Sequence, residues 1–353
     1  MSTTSSKGSL GVDKSTLTAR PGTPTASATT AAGRRRSERR IAYLFAGPLL
    51  LVFTLFYLWP ATSTVVSSFF RWGLLNPWSL AEPDEWRFVG LGNYTEVLTG
   101  QAFWNATVNT VLWLVFFPVL VTVCGLLISL LIYDAPTGGR VLRNVFILPM
   151  TISLAAAGVI WSLMYNPDFG VVPVFLNATN LAFAVDWGPI HFQTARWLSD
   201  PGFVDLGFTQ LKLVNLSLVV PAVWAFTGFG VITFSAGLAS LGTDLLEAAR
   251  VDGATWFQRV RYVIIPSLRG SMVIVLVVSV IFALRTFDIV WVMTKGGPGT
   301  DSEVVAVRLW KLAFEFLERP QAGAGVAIAV LMSAVLIAGA YPYLRRLLKE
   351  GPT

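Results

Sequence analysis

Six blocks of apolar residues, each roughly twenty long, decide what this chain can fold into. They fall at about 41–59, 107–133, 144–164, 213–240, 271–293 and 322–344. Each is long enough to cross a hydrocarbon core of ~30 Å. Inside lipid no water satisfies a backbone N–H or C=O, so a spanning segment of this kind must be a helix. The apolar/polar alternation of barrel strands is missing. The spacing therefore predicts an all-α integral membrane protein of about six spans over residues 41–348. Composition agrees: 54% of the residues are hydrophobic and 13% charged, whereas soluble domains carry about 25% charged residues. The first block is too long for a signal-peptide core and lacks a small-residue cleavage site, so it reads as a retained span.

Lys and Arg set the orientation. With both ends in the cytoplasm, 17 of the 26 basic residues and only 7 of the 20 acidic ones lie inside. The inner segments then carry about +10 and the outer ones about −4, consistent with the formal net charge of +6. The opposite orientation inverts both biases, so the expectation is N-in/C-in. The outer segments fall at roughly 71–106, 165–212 and 294–321. The second carries Trp187, Trp197, Asp186 and Asp200 and is too polar to span. The third opens with the turn signal Lys295 to Gly299 and continues as an amphipathic helix through Trp310, Phe314 and Leu317.

The basic balance (pI about 9.6) does not point to nucleic acid, because the basic residues flank apolar blocks and form no patch on a soluble fold. Residues 1–40 are rich in Ser, Thr, Ala, Gly and Pro and end in the run Arg34 to Arg40, a composition expected to stay disordered. Within them Gly8 to Ser15 imitates a phosphate loop, but Asp13 stands where the second glycine belongs, and no strand precedes it. No cofactor and no metal are expected on this chain. It has one cysteine, Cys124, and one histidine, His191, too few for a disulfide framework or a Cys/His metal site.

The stretch that carries function lies between the fourth and fifth blocks, at 242–270. Asp244 is placed to cap a short helix with Glu247 in its first turn, near the positive end of the dipole. Gly253 ends that helix, since glycine readily takes the left-handed conformation. A second short helix follows from Ala254, with Trp256, Phe257 and Val260 forming an apolar stripe. Pro266 then restarts the chain into the next span. A loop that merely joins two spans needs no such helix pair, whereas exposed aromatics rimmed by charge mark an interaction site.

Glu247-Ala248-Ala249, three residues, Gly253, nine residues, then Val263-Ile264-Ile265-Pro266 resembles the hallmark of binding-protein-dependent ABC importer permeases. Val263 and Ile265 stand for the usual Ile and Leu and keep the apolar character. Thr286-Phe287-Asp288, Met293-Thr294-Lys295-Gly296-Gly297-Pro298, Gly90-Leu91-Gly92-Asn93-Tyr94 and Arg143 to Pro149 are similar to the carbohydrate-importing branch of that family. The resemblance implies a type I importer bundle whose 242–270 loop is the coupling helix seated on an ATP-hydrolysing subunit. Coupling would fall to Glu247, Ala248, Ala249, Asp252, Gly253, Trp256, Phe257 and Pro266. It implies a non-catalytic subunit of a bacterial plasma membrane importer that translocates a mono- or oligosaccharide. Its expected partners are a second, non-identical permease, an ATPase dimer holding ATP and Mg, and an extracytoplasmic sugar-binding protein.

Two readings stay open for the polar groups within the blocks. Arg285 and Asp288, at i and i+3, either pair to hold an outer gate or touch sugar directly. Thr227, Thr233 and Ser235, with Trp224 and Phe226, either line a sugar path or pack helix on helix. The alternative function, an ion-coupled secondary transporter, calls for internal repeats, and the two halves show none. A membrane-embedded enzyme calls for converging His, Cys or carboxylates within the spans.

Overall fold

A computed structural model describes residues 43–73, 87–134, 138–179, 197–199, 203–205, 210–315 and 321–350. The 1–40 tail, with Asp186, Trp187, His191, Asp200 and Leu317, lies outside the described residues. The chain divides into two compact units, Met1–Thr62 and Ser63–Thr353. The described part of the first belongs to α1 (Tyr43–Ser67). This helix runs past the expected end at 59 and through Pro60. A π turn at Thr54–Leu58, closed by the Trp59 N–H on the Thr54 carbonyl, comes just before the proline. The wider turn makes room around the carbonyl that the proline ring would otherwise strike.

After the last residues of α1, the second unit continues with a two-residue antiparallel pair, β1 (Phe70–Arg71) and β2 (Arg87–Phe88), followed by α2 (Gly92–Thr99). Buried Asn93 donates to the carbonyls of Ser68 and Phe70, both at 2.8 Å, which explains the asparagine of the Gly90–Tyr94 motif. The long helix α3 (Gln101–Asp134) has 34 residues and is about 51 Å long at the rise per residue of an α-helix. Then come α4 (Gly139–Ile147), α5 (Leu154–Met164), α6 (Val171–Ala178), and the pair β3 (Phe203–Asp205) and β4 (Gln210–Lys212), leading into α7 (Leu213–Ala239). The remaining elements are α8 (Thr243–Val251), α9 (Trp256–Ser267), α10 (Arg269–Leu284), α11 (Asp288–Thr294), α12 (Val305–Trp310) and α13 (Ala322–Glu350).

Among the described residues four helices, α1, α3, α7 and the Ala322–Gly339 part of α13, are long and apolar enough to span a membrane; two bent pairs raise the number to as many as six. Two expected spans are interrupted in the structure, one by a bend and one by a break. Block 144–164 is not one helix: Val141–Thr151 and Leu154–Met164 meet at 102°. Pro149 sits in a 3-10 turn, Ile152 is extended, and the Ser153 hydroxyl caps the second half by accepting from the Ala156 N–H at 3.2 Å. The fifth helix ends at Leu284, not at 293, because Arg285 to Phe287 break it and Asp288 opens a new helix.

The core is a crossing of α3 and α7 built on small residues. A Cβ added to Gly125 would stand 2.9 Å from the Gly230 Cα, so the two backbones touch. Further along the same helices, Phe117 (α3), Phe226 (α7) and Phe282 (α10) form a triangle. The Phe117 ring lies 5.6 Å from Phe226 and 4.9 Å from Phe282, and Phe226 lies 4.6 Å from Phe282. At the β4 end of α7, Asn109 donates to the carbonyls of Asp301 (3.0 Å) and Glu303 (2.9 Å). Asn215 donates to the Asn109 Oδ1 (3.1 Å) and the Asp301 carbonyl (3.0 Å). The buried Glu303 side chain takes Lys311 at 2.9 Å. These contacts tie the Gly296–Glu303 turn to α3 and α7.

Candidate functional site

The Glu247 motif forms at the opposite end of α7 from this knot. Helix α8 starts after Gly242, which makes no side-chain cap, so Asp244 lies inside the helix rather than before it. Glu247 is consequently in the second turn, not the first. The end of α8 accounts for the motif's spacing. The Gly253 N–H donates to the Arg250 carbonyl and the Ala254 N–H to the Ala249 carbonyl, both at 3.0 Å. That is a Schellman closure, and it requires a left-handed residue at Gly253, where φ is +76°. The third residue of Glu-Ala-Ala and the glycine four positions later are thus two halves of one hydrogen-bonded turn.

The next helix starts at Trp256, two residues later than the sequence suggested, with Thr255 as its N-cap. Thr255 and Gln258 form a reciprocal capping box, with the Thr255 N–H on the Gln258 Oε1 at 2.8 Å and the Gln258 N–H on the Thr255 Oγ1 at 3.4 Å. The signal was present as Thr-x-x-Gln. A π turn at Val260–Ile264 leads to Pro266, repeating the device seen before Pro60. Pro266 therefore lies within α9, and the chain turns by 69° only after Ser267.

The expected stripe of Trp256, Phe257 and Val260 is divided between two faces. Leu246, Val260, Ile264 and Leu268 are buried and join the core of the bundle. Leu245, Val251, Phe257 and Tyr262 point outward, with Val251 87% and Phe257 69% exposed. Glu247, Ala248 and Asp252 lie on the exposed side as well. Trp256 belongs to neither face: its indole Nε1–H donates to the Asp134 Oδ2 at 2.6 Å, at the end of α3. Asp134 was not among the residues singled out from the sequence, and a partner 122 positions away leaves no local trace there.

The candidate path residues are dispersed. Trp224 and Thr227 line one cleft of about 470 Å³, together with Leu120, Cys124, Phe146 and Trp161. The Trp161 and Trp224 rings meet edge-on at 5.9 Å. Phe226 is turned into the aromatic triangle instead. Thr227 and Thr233 donate to the carbonyls of Val223 (2.6 Å) and Phe229 (2.9 Å), one turn back. The Ser235 hydroxyl is buried without a hydrogen-bond partner among the described residues. Arg285 and Asp288 do not share a helix, both are exposed, and no ion pair joins them among the described residues. The break at Arg285 removes the i, i+3 geometry on which that pairing depended.

Residues 125–349 match the family described as "Binding-protein-dependent transport system inner membrane component". The chain belongs to that family. Among its relatives is the trehalose/maltose transport system permease protein MalF of Thermococcus litoralis, 30% identical over 87% of this chain and 94% of the relative. The osmoprotective compounds uptake permease protein GgtC of Synechocystis is 31% identical, over 83% of this chain and 94% of the relative. The alpha-glucoside transport system permease protein AglF of Rhizobium meliloti is 29% identical, over 84% and 79%. The fold is shared with a chain of a bacterial ABC transporter involved in the import of the acidic polysaccharide alginate. The TM-score is 0.68 at 18% identity, over 90% of this chain and 99% of that one. As a member of this family, the chain is a membrane component of a binding-protein-dependent importer, which accounts for its apolar helices.

Proposed function

We propose that this chain is a permease subunit of an ATP-driven importer for a mono- or oligosaccharide, and that α8 and α9 form its coupling element. The observation that carries the reading is the two-faced build of that element. One apolar face is sealed into the bundle while the other holds Leu245, Val251, Phe257 and Tyr262 in the open. Apolar groups of this size, rimmed by Glu247 and Asp252, suit a groove on a partner protein better than water. The sugar follows from the trehalose/maltose and alpha-glucoside relatives. A second permease, an ATPase dimer and a substrate-loaded binding protein complete the machine, and ATP with Mg belongs to the ATPase. This chain works by rigid shifts of its helices and itself hydrolyses nothing.

The test is sugar-stimulated ATP hydrolysis by the complete complex in vesicles. The isolated chain should show no hydrolysis, and in the complex binding protein plus sugar should raise the partner's rate. Phe257→Ala should weaken that response and loosen the ATPase in detergent. An unchanged response, with the ATPase still attached, would overturn the coupling assignment.

A further inference from the structure

We infer that Asp134 is a positioning residue of the coupling element: its hydrogen bond to Trp256 makes α3 the rod that carries the element's displacement into the bundle. The inference deepens the proposed function and rests on it. By chain connectivity, α8 and α9 are joined only to α7 and α10. The Trp256–Asp134 bond adds a direct fastening to a third helix, from an indole N–H to a carboxylate at 2.6 Å, the short, charge-assisted kind. Tyr133, Arg250 and Arg259 line the same small recess as Asp134 and Trp256, so the bond sits in a defined notch between the end of α3 and the element.

What α3 meets further along makes the fastening consequential. The Gly125–Gly230 contact lies nine residues up α3, about 13 Å away, and at Phe117 the helix touches both α7 and α10. A packed helix moves as a unit, because close-packed interiors transmit strain rather than absorb it. A displacement at Trp256 therefore reaches the α3/α7 crossing through α3 as well as through the chain. Because the bond lies at the exposed edge of the bundle, its loss leaves an indole N–H (Asp134→Ala) or a carboxylate (Trp256→Phe) that water can solvate. Removing it should alter coupling and spare folding.

The complete complex in vesicles provides the test, using whichever of maltose, trehalose and glucose stimulates wild-type hydrolysis most. Asp134→Asn keeps an acceptor and should retain stimulation. Asp134→Ala should lower stimulation about fivefold, the scale of one net hydrogen bond, at unchanged membrane abundance and basal hydrolysis. Trp256→Phe should lower it comparably, and the double variant should lose no more than the worse single one, since both remove the same bond. Additive losses, or wild-type stimulation in Asp134→Ala, would overturn the inference. Phe257→Ala separates this from the wider reading. If Phe257→Ala uncouples and Asp134→Ala does not, only the rod fails; if neither uncouples, the coupling assignment fails with it.

Discussion

At Gly253 a substitution meets open space, since nothing lies within 4 Å of an added Cβ; the constraint is the left-handed φ of +76°. Gly253→Ala should cost about 1–2 kcal/mol locally, lowering uptake while membrane abundance stays near wild type. Gly253→Asn should be milder, because Asn tolerates that region. Gly253→Pro cannot reach the required φ and removes the N–H bound to Arg250, so uptake should disappear. Radiolabelled sugar uptake beside immunoblotted abundance checks all three, and full uptake by the proline variant would contradict the turn's role. The Glu247–Gly253 spacing was legible because the Schellman turn is closed by neighbours in sequence. Trp256 was legible as an aromatic in a loop, but its bond to Asp134 was not, since no local pattern encodes a contact across the fold.

The helices divide in the same way. Block lengths gave α3 and α7 nearly whole, because apolar length decides a span whatever the neighbours. They did not give the 102° bend in the third block, which apolar length alone does not register. Pro149 and Ser153 were the available signals there, a proline that cannot donate and a serine suited to cap. The Arg285–Asp288 pairing failed for a related reason: an i, i+3 argument assumes an unbroken helix, and Arg285 is a C-cap. Close packing on α7 rests on Gly230, which meets the α3 backbone and was not among the residues singled out from the sequence. Gly230→Leu must force the two helices apart, at a cost of about 1–3 kcal/mol or more for overpacking. The variant should show reduced abundance and a lower midpoint of thermal unfolding in detergent. Thr255→Ala, which removes half of the capping box, should cost only about 1 kcal/mol and lower stimulated hydrolysis slightly. A Gly230→Leu protein as stable as wild type would mean that the crossing is not tightly packed.

For the whole molecule the quantity to test is direction, which the charge bias predicts. The excess of Lys and Arg assigns the 242–270 segment to the cytoplasm, where an ATPase could reach it. The hydrogen-bonded knot of Asn109, Asn215 and Asp301 stands at the other end of α3 and α7, the end that would face a binding protein. Both assignments are tested on one background, because Cys124 is the only cysteine. Cys124→Ala removes a half-buried thiol from the apolar cleft and should leave a working, label-silent subunit. On that background Phe88→Cys and Val251→Cys place thiols at positions 68% and 87% exposed. A membrane-impermeant maleimide added to intact cells should label residue 88 and not residue 251, and permeabilising the cells should make both reactive. With the ATPase subunit deleted, so that nothing docks over residue 251, the two positions are similarly exposed, and unequal labelling in intact cells reports the membrane rather than burial. If residue 251 were labelled from outside and residue 88 were not, the coupling element would face away from ATP, and the charge bias would have been read in the wrong sense.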